Sequence, residues 1–320
     1  MNFKLKKISG DASFREFYRL KKQNKTSIIV SAKKNKYKNL MVYSIINNIL
    51  NSNKIYAPKL ISNHYKNNMI EISDLGDKTF YDFIILKKNK INGYKSLIKL
   101  IFKLQKIKLK KNYNLGKFQF IFPKYTLENL HKESDLFFDW YLKYCLKNKN
   151  INKIKKLLRI ELNKVYKKLN FKNDTFVHRD FHISNIMIDK KKLGLIDNQD
   201  AIIGNPLYDV ASLIDDVRIK LPQDLQNKLL KFYWKGSKYK NEKEEKLKND
   251  FDILSVQRNL KILGIFVRLY KRDNKSNYLK FLPYTWLLIE RRLKNPIFKN
   301  LKLLMQKSLP IKKLKRLKKI

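Results

Sequence analysis

Residues 176–201 read FVHRDFHISNIMIDKKKLGLIDNQDA, and they carry more chemistry than any other stretch of the chain. His178, Arg179 and Asp180 are followed, five positions after the aspartate, by Asn185. Two short apolar pieces, NIMID and LGLID, then bracket Lys190 to Lys192 as a hairpin and end on Asp197. Ile186, Met187, Ile188, Leu193, Leu195 and Ile196 are the expected anchors of that hairpin, holding the polar groups at its mouth. Asp180 on a tight loop suits acceptance of a proton from a hydroxyl. Asn185 and Asp197 together offer one amide oxygen and one carboxylate, the hard donors that magnesium takes while leaving room for water and phosphate oxygens.

The spacing H-R-D-x-x-x-x-N followed by a hairpin and an aspartate is that of phosphoryl-transfer loops. It points to transfer of a γ-phosphoryl group from a nucleotide such as ATP, with Mg2+, onto a small-molecule hydroxyl. In such a loop His178 is expected to brace by hydrogen bonding. His182 suits either a brace or a substrate contact, while His64 and His131 stand at no metal-ligand spacing and read as surface or packing residues.

Upstream, residues 3 to 75 carry short strand patterns, KLKKI, SFREFYRLKK, TSIIVSA, PKLIS and NMIEIS, interrupted by one helical stretch over 36–50. Five strands with a helix after the third is the order of a kinase amino-terminal lobe. Beyond Asp74-Leu75-Gly76 the apolar spacing turns to three and four residues, and apart from the hairpin it stays helical to about Lys307. The expected organisation is a nucleotide-binding lobe over 1–75, a catalytic and substrate lobe over 76–308 and a basic tail over 309–320.

The chain has 320 residues and a net charge of +46, with 62 Lys but only 11 Arg. Readers of nucleic acid favour arginine forks and local basic patches with stacking aromatics. Here the lysines are dispersed beside abundant Asn and Ile, the imprint of an AT-rich coding sequence, so no specific nucleic acid is expected. The amino terminus lacks a continuous apolar stretch and no segment of about 18 uncharged apolar residues occurs, which predicts a cytoplasmic protein with no membrane partner. Cys145, alone of its kind and in a helical pattern, excludes an internal disulfide and reads as packing.

HRDFHISN and LGLIDNQDAIIGNPLYDVASLIDD resemble the aminoglycoside phosphotransferase and choline kinase superfamily. GDASFREFYRL near the start, the pattern from Glu133 to Leu142, and Gln257 to Pro283 are similar to the bacterial cell-wall sugar kinases, which phosphorylate the anomeric hydroxyl of N-acetylmuramate and N-acetylglucosamine. The resemblance implies an α+β, two-lobed protein-kinase-like fold, with Asp180 as base and Asn185 and Asp197 as magnesium ligands. It also implies that the turn Gly10-Asp11-Ala12-Ser13 covers the phosphates, and that Asp209 either braces the catalytic loop or caps the helix beginning near Leu207.

The chain departs from the family pattern in three places. Lys33 and Lys34 follow the third strand where one lysine within it usually meets the α/β-phosphates; Lys33 is a candidate phosphate contact, with Lys34 or neither residue as the alternatives. Asn198 stands where an aromatic is usual, and Asn274 where Gly is usual. For the acceptor, Glu133, Asp200, Arg258, Arg268 and Arg272 are candidates, since a sugar needs fixed donors and acceptors and a lactyl carboxylate suits an arginine fork. Trp140 and Tyr141 lie on an apolar helical face and read as core. An aminoglycoside, choline or another amino alcohol is the alternative acceptor, although a cationic ligand calls for acidic or aromatic groups. A regulatory or nucleic-acid-binding protein on a silent kinase fold is the third expectation.

Overall fold

The consecutive apolar residues Ile28, Ile29 and Val30 lie in Lys25–Ser31, with Ile28 and Val30 buried, and this strand is the centre of an antiparallel sheet. The computed structural model describes residues 3–8, 15–23, 25–33, 36, 38–146 and 150–315. The sheet consists of β1 (Phe3–Ile8), β2 (Glu16–Lys22), β3 (Lys25–Ser31), β4 (Leu60–His64) and β5 (Met69–Ser73), in the order β1-β2-β3-β5-β4. One helix, α1 (Lys38–Ser52), follows β3, so the expected order of five strands and a helix is met, with the helix starting and ending two residues later. Ile28 and Val30 of β3, Ile70 and Ile72 of β5, and Leu40 and Tyr43 of α1 make one buried cluster. Removing these side chains from water supplies the main drive for the sheet and helix to pack.

Two compact units divide the chain, residues 1–123 with 175–203, and 124–174 with 204–320. The expected lobe junction at Asp74–Gly76 falls inside the first unit. That unit also contains α2 (Phe80–Ile85), α3 (Ile91–Gln105) and the hairpin of β6 (Tyr113–Leu115) and β7 (Phe118–Phe120). It continues with β8 (Thr175–Val177) and the hairpin of β9 (Ile186–Asp189) and β10 (Lys192–Leu195), and reaches into β11 (Ile202–Gly204). Thr79 opens α2 with a reciprocal capping box, its hydroxyl accepting from the Asp82 N–H while the Asp82 carboxylate accepts from the Thr79 N–H. The hairpin of β9 and β10 turns on two residues rather than three. Lys192 already pairs with Asp189, and Lys190 and Lys191 make the turn at φ values of 46° and 66°.

The second unit is helical: α4 (Leu127–Leu136), α5 (Lys143–Cys145), α6 (Ile151–Tyr166), α7 (Leu207–Ile214), α8 (Gln223–Gly236), α9 (Glu244–Asp273), α10 (Leu282–Arg292), α11 (Lys299–Ser308) and α12 (Ile311–Lys315). Between α4 and α5 the chain stays helical but widens to a π-turn over Phe137–Leu142. Opposite it, a Cβ on Gly264 of α9 would stand 2.2 Å from the Leu136 carbonyl oxygen, so only glycine permits this approach. Tyr141 is core as expected, its hydroxyl donating to the Leu314 carbonyl at 2.8 Å and accepting from the Trp286 indole at 2.7 Å. α9 ends on Asn274 in the left-handed conformation at φ 55°, the geometry that makes asparagine an acceptable replacement for glycine there. Among the described residues, no helix is long and apolar enough to cross a membrane.

Candidate active site

β8 is buried along its length and delivers His178 into the interior of the first unit. The next residue, Arg179, takes a φ of 76°, a conformation that costs a non-glycine residue free energy and turns the chain sharply before Asp180. The loop then closes on itself. The His182 N–H donates to the Asp180 carbonyl at 3.0 Å, and the Asn185 N–H donates to the His182 carbonyl at 2.9 Å. The Asn185 side-chain amide also donates to the Asp180 carbonyl, at 3.0 Å. That bond uses an N–H of the Asn185 amide and not its oxygen. No donor among the described residues holds the Asp180 carboxylate, which is half-buried.

Asp197, at the end of the hairpin, is left-handed at φ 63°. Its Oδ1 accepts from Arg15 Nη2 at 2.5 Å and from Gln199 Nε2 at 3.1 Å, while Oδ2 has no partner among the described residues. A carboxylate with one oxygen held and one available, and an amide oxygen on the adjoining loop, form a donor set that fits a hard divalent cation. Among the described residues no group of three or more His, Cys, Asp and Glu could hold a metal. Asp200 is exposed, and its Oδ2 accepts from Gln199 Nε2 at 2.8 Å.

His178 Nε2 faces the Ile196 carbonyl at 3.1 Å and the Asn198 side-chain oxygen at 2.9 Å. Two acceptors require that nitrogen to carry the proton, which fixes the tautomer. Asn198 in turn donates to Asn47 Oδ1 on α1 at 2.8 Å and to the Leu195 carbonyl at 2.9 Å. A phenylalanine at position 198 could make none of these bonds. Arg15, Asn47 and Gln199 were not foreseen as site residues; Asn47 stood in the pattern only as a polar residue on an otherwise apolar helix face.

The first unit also holds Lys33, which is exposed and without a carboxylate partner among the described residues. Gly10, Asp11, Ala12 and Ser13 lie outside the described residues.

In the second unit, Glu133 of α4 is 5% exposed. Its Oε2 accepts from Tyr125 OH at 2.6 Å, Tyr208 OH at 3.0 Å and Gln257 Nε2 at 3.0 Å. Its Oε1 takes the Lys261 ammonium at 3.1 Å. Arg258, Lys261, Arg268 and Arg272 recur along α9 at spacings that keep them on one helical face. Arg258 is 5% exposed, and its Nη1 has no hydrogen-bond partner among the described residues; the same holds for Nε of Arg268. Burial and the like charge of Arg272 lower the Arg268 pKa. Arg272 is bound by Asp273 through two bonds, at 2.8 and 2.9 Å. Asp209 is buried in the first turn of α7, and ahead of it Asn205 Oδ1 accepts from the Leu207 N–H at 2.9 Å.

A profile of the phosphotransferase enzyme family (APH) matches residues 4–244. The chain belongs to that family. An N-acetylmuramate/N-acetylglucosamine kinase of Pseudomonas aeruginosa is 26% identical over 283 residues, covering 86% of this chain and 79% of that protein. A protein of the same name from Neisseria meningitidis is 25% identical over 286 residues, covering 88% and 83%. Among solved structures, an ethanolamine kinase of Plasmodium vivax superposes with a TM-score of 0.63 at 15% identity, over 93% of this chain and 84% of that one. An ADP-bound aminoglycoside phosphotransferase, APH(2'')-Ib, gives 0.59 at 13% identity, over 92% and 93%. The fold of this phosphotransferase is thus the α+β, protein-kinase-like one, an amino-terminal antiparallel sheet followed by a mainly helical part.

Proposed function

We propose that this phosphotransferase is an ATP-dependent, magnesium-dependent sugar kinase that phosphorylates the anomeric hydroxyl of N-acetylmuramate or N-acetylglucosamine. The observation that carries the reading is the loop and hairpin of the first unit. There Asp180, Asn185 and Asp197 sit on a few mutually hydrogen-bonded residues, with the Asp180 carboxylate uncommitted and one oxygen of Asp197 available. The naming of relatives that match over most of the chain supports the sugar acceptor.

In this reading Asp180 accepts the proton of the acceptor hydroxyl as it attacks the γ-phosphorus. Asn185 Oδ1 and Asp197 Oδ2 would hold magnesium, which when bound would neutralise charge on the transferred phosphoryl group. His178 and Asn198 keep the loop and hairpin in register. Residues 1–75 serve as the nucleotide-binding lobe, with Gly10 to Ser13 over the phosphates. On the acceptor side, Arg258 and Arg268 supply donors that the protein leaves unpartnered, a fit for a lactyl carboxylate.

The test is ATP consumption with N-acetylmuramate, N-acetylglucosamine, choline and an aminoglycoside. Turnover is expected with the N-acetylated sugars, and Asp180→Ala should lower it by about 10²- to 10⁴-fold. Replacing Arg268 by Lys should raise KM for N-acetylmuramate more than for N-acetylglucosamine, which lacks the carboxylate. Turnover confined to choline or the aminoglycoside would overturn the acceptor, and a folded Asp180→Ala protein at full rate would overturn the base.

A further inference from the structure

A kinase site of this fold class places a lysine from the third strand on the α/β-phosphates and steadies it with a glutamate from the following helix. Among the described residues neither β3 nor the helix after it supplies its half of that pair. β3 reads KTSIIVS, and its only cation, Lys25, sits at the strand's first position, paired across the hairpin with Lys22 and exposed. The helix after it, α1, reads KNLMVYSIINNILNS and has no acid. Lys33, just past the strand, is exposed. Asn47 is the α1 residue that reaches toward the hairpin, and it is neutral.

One cation does stand in the interior of this unit. Arg15 directly precedes β2, and its side chain is 4% exposed. The guanidinium lies 5.7 Å from the ring centres of both Phe17 and Tyr43, and it ends on Asp197 Oδ1 at 2.5 Å and on Gln199 Oε1. It therefore points at the carboxylate that the reading above gives to magnesium. A buried guanidinium is tolerated only while paired. A metal ion on Asp197 Oδ2 would draw on the negative charge that Arg15 relies on, and the phosphate oxygens that accompany the metal are of the right charge and fork geometry to make it up.

We propose that Arg15 is the phosphate-binding cation of the nucleotide site, taking the place of the missing strand lysine, with Asp197 as its counterion until nucleotide and metal arrive. This rests on the kinase reading but not on which acceptor is used.

The experiment is titration of the full chain with ATP and with adenosine, with magnesium and in EDTA, and with no acceptor present. Arg15→Ala should weaken ATP binding by about 10- to 100-fold, the range for loss of charge-assisted bonds, and adenosine binding by less than about twofold. Arg15→Lys should recover part of the loss, because the charge returns without the fork. In EDTA, Asp197→Asn should bind ATP more tightly than the natural chain, since the competing carboxylate is gone, and Arg15→Ala should abolish that gain. Equal losses for ATP and adenosine would assign Arg15 a structural role and overturn the proposal. So would a Lys33→Ala loss that matches or exceeds that of Arg15→Ala, or a natural chain that binds no ATP. Silence across the acceptor panel with the ATP pattern intact would overturn the sugar-kinase reading and leave this one standing.

Discussion

Replacing Glu133 separates a structural carboxylate from an acceptor contact. Its two oxygens accept from three neutral donors and one ammonium, and Lys261 is 13% exposed in its side chain. Glu133→Ala leaves that ammonium buried beside two tyrosine hydroxyls and an amide that have lost their acceptor. Breaking one side of a buried ion pair costs about 3–5 kcal/mol, a large part of the roughly 5–15 kcal/mol by which a folded domain is stable. Glu133→Gln keeps the shape and three acceptances but turns an amide N–H toward Lys261, so its cost should be smaller, about 1.5–3 kcal/mol. Glu133→Leu combined with Lys261→Met removes both charges and should recover much of the loss. Urea unfolding followed by far-ultraviolet circular dichroism reads all three. The reasoning fails if Glu133→Ala costs less than about 1 kcal/mol while KM for the acceptor rises sharply, because the carboxylate would then be facing ligand rather than holding α4, α7 and α9 together.

Two further outcomes follow from local geometry. Lys190 and Lys191 both occupy the left-handed region, so Lys190→Asn with Lys191→Gly should stabilise the protein by about 1–2 kcal/mol; an unchanged or lower urea midpoint would show that the turn is not strained. Burial pushes the Tyr43 phenol up to about 12, with the Arg15 guanidinium acting in the opposite sense. A folded-state value above the unfolded one gives a contribution that is complete below pH about 10 and lost as pH climbs to about 12, roughly 2–3 kcal/mol in all. Unfolding free energies for the natural chain and Tyr43→Phe should therefore converge or cross over that window; a difference that does not vary with pH would mean the phenol ionises as freely in the folded state.

Local signals in the sequence carried over well, because they are short in range. The strand patterns before Ser73, the hairpin between Ile186 and Leu195 and the helical periodicity after Thr126 each depend on neighbours a few positions away. What could not be read is what depends on distant pairing. Nothing near Asn198 indicates that it ties His178 to Asn47, 151 positions away from it along the chain. Gly264 sits mid-helix in a pattern that tolerates glycine as readily as alanine, and only the carbonyl of Leu136 makes it obligatory. The start of α7 shows the same limit at close range. Asp209 and Asn205 are both polar residues near the helix start, and backbone direction alone decides that Asn205 accepts from Leu207.

The contrast between 62 Lys and 11 Arg gains meaning from where the arginines end. A drift in composition toward lysine would replace any arginine that serves only as a surface charge, so the survivors should mark sites that need a planar fork. Arg15 meets Asp197, Arg19 meets Asp74 and Asp77, and Arg159 meets Asp135. Arg218 meets Asp216, Arg272 meets Asp273 and Arg292 meets Asp215. Arg291 donates to the Leu221 carbonyl and to Gln226. Against that pattern, Arg258 and Arg268 are arginines with buried nitrogens that no described residue satisfies. Leaving such donors dry is costly, and Arg268 already bears the repulsion of Arg272. A planar anion is what would offset both costs at once. In the proposed sugar-kinase reading that anion is the lactyl carboxylate of N-acetylmuramate, which N-acetylglucosamine lacks, and the two arginines are its proposed contacts.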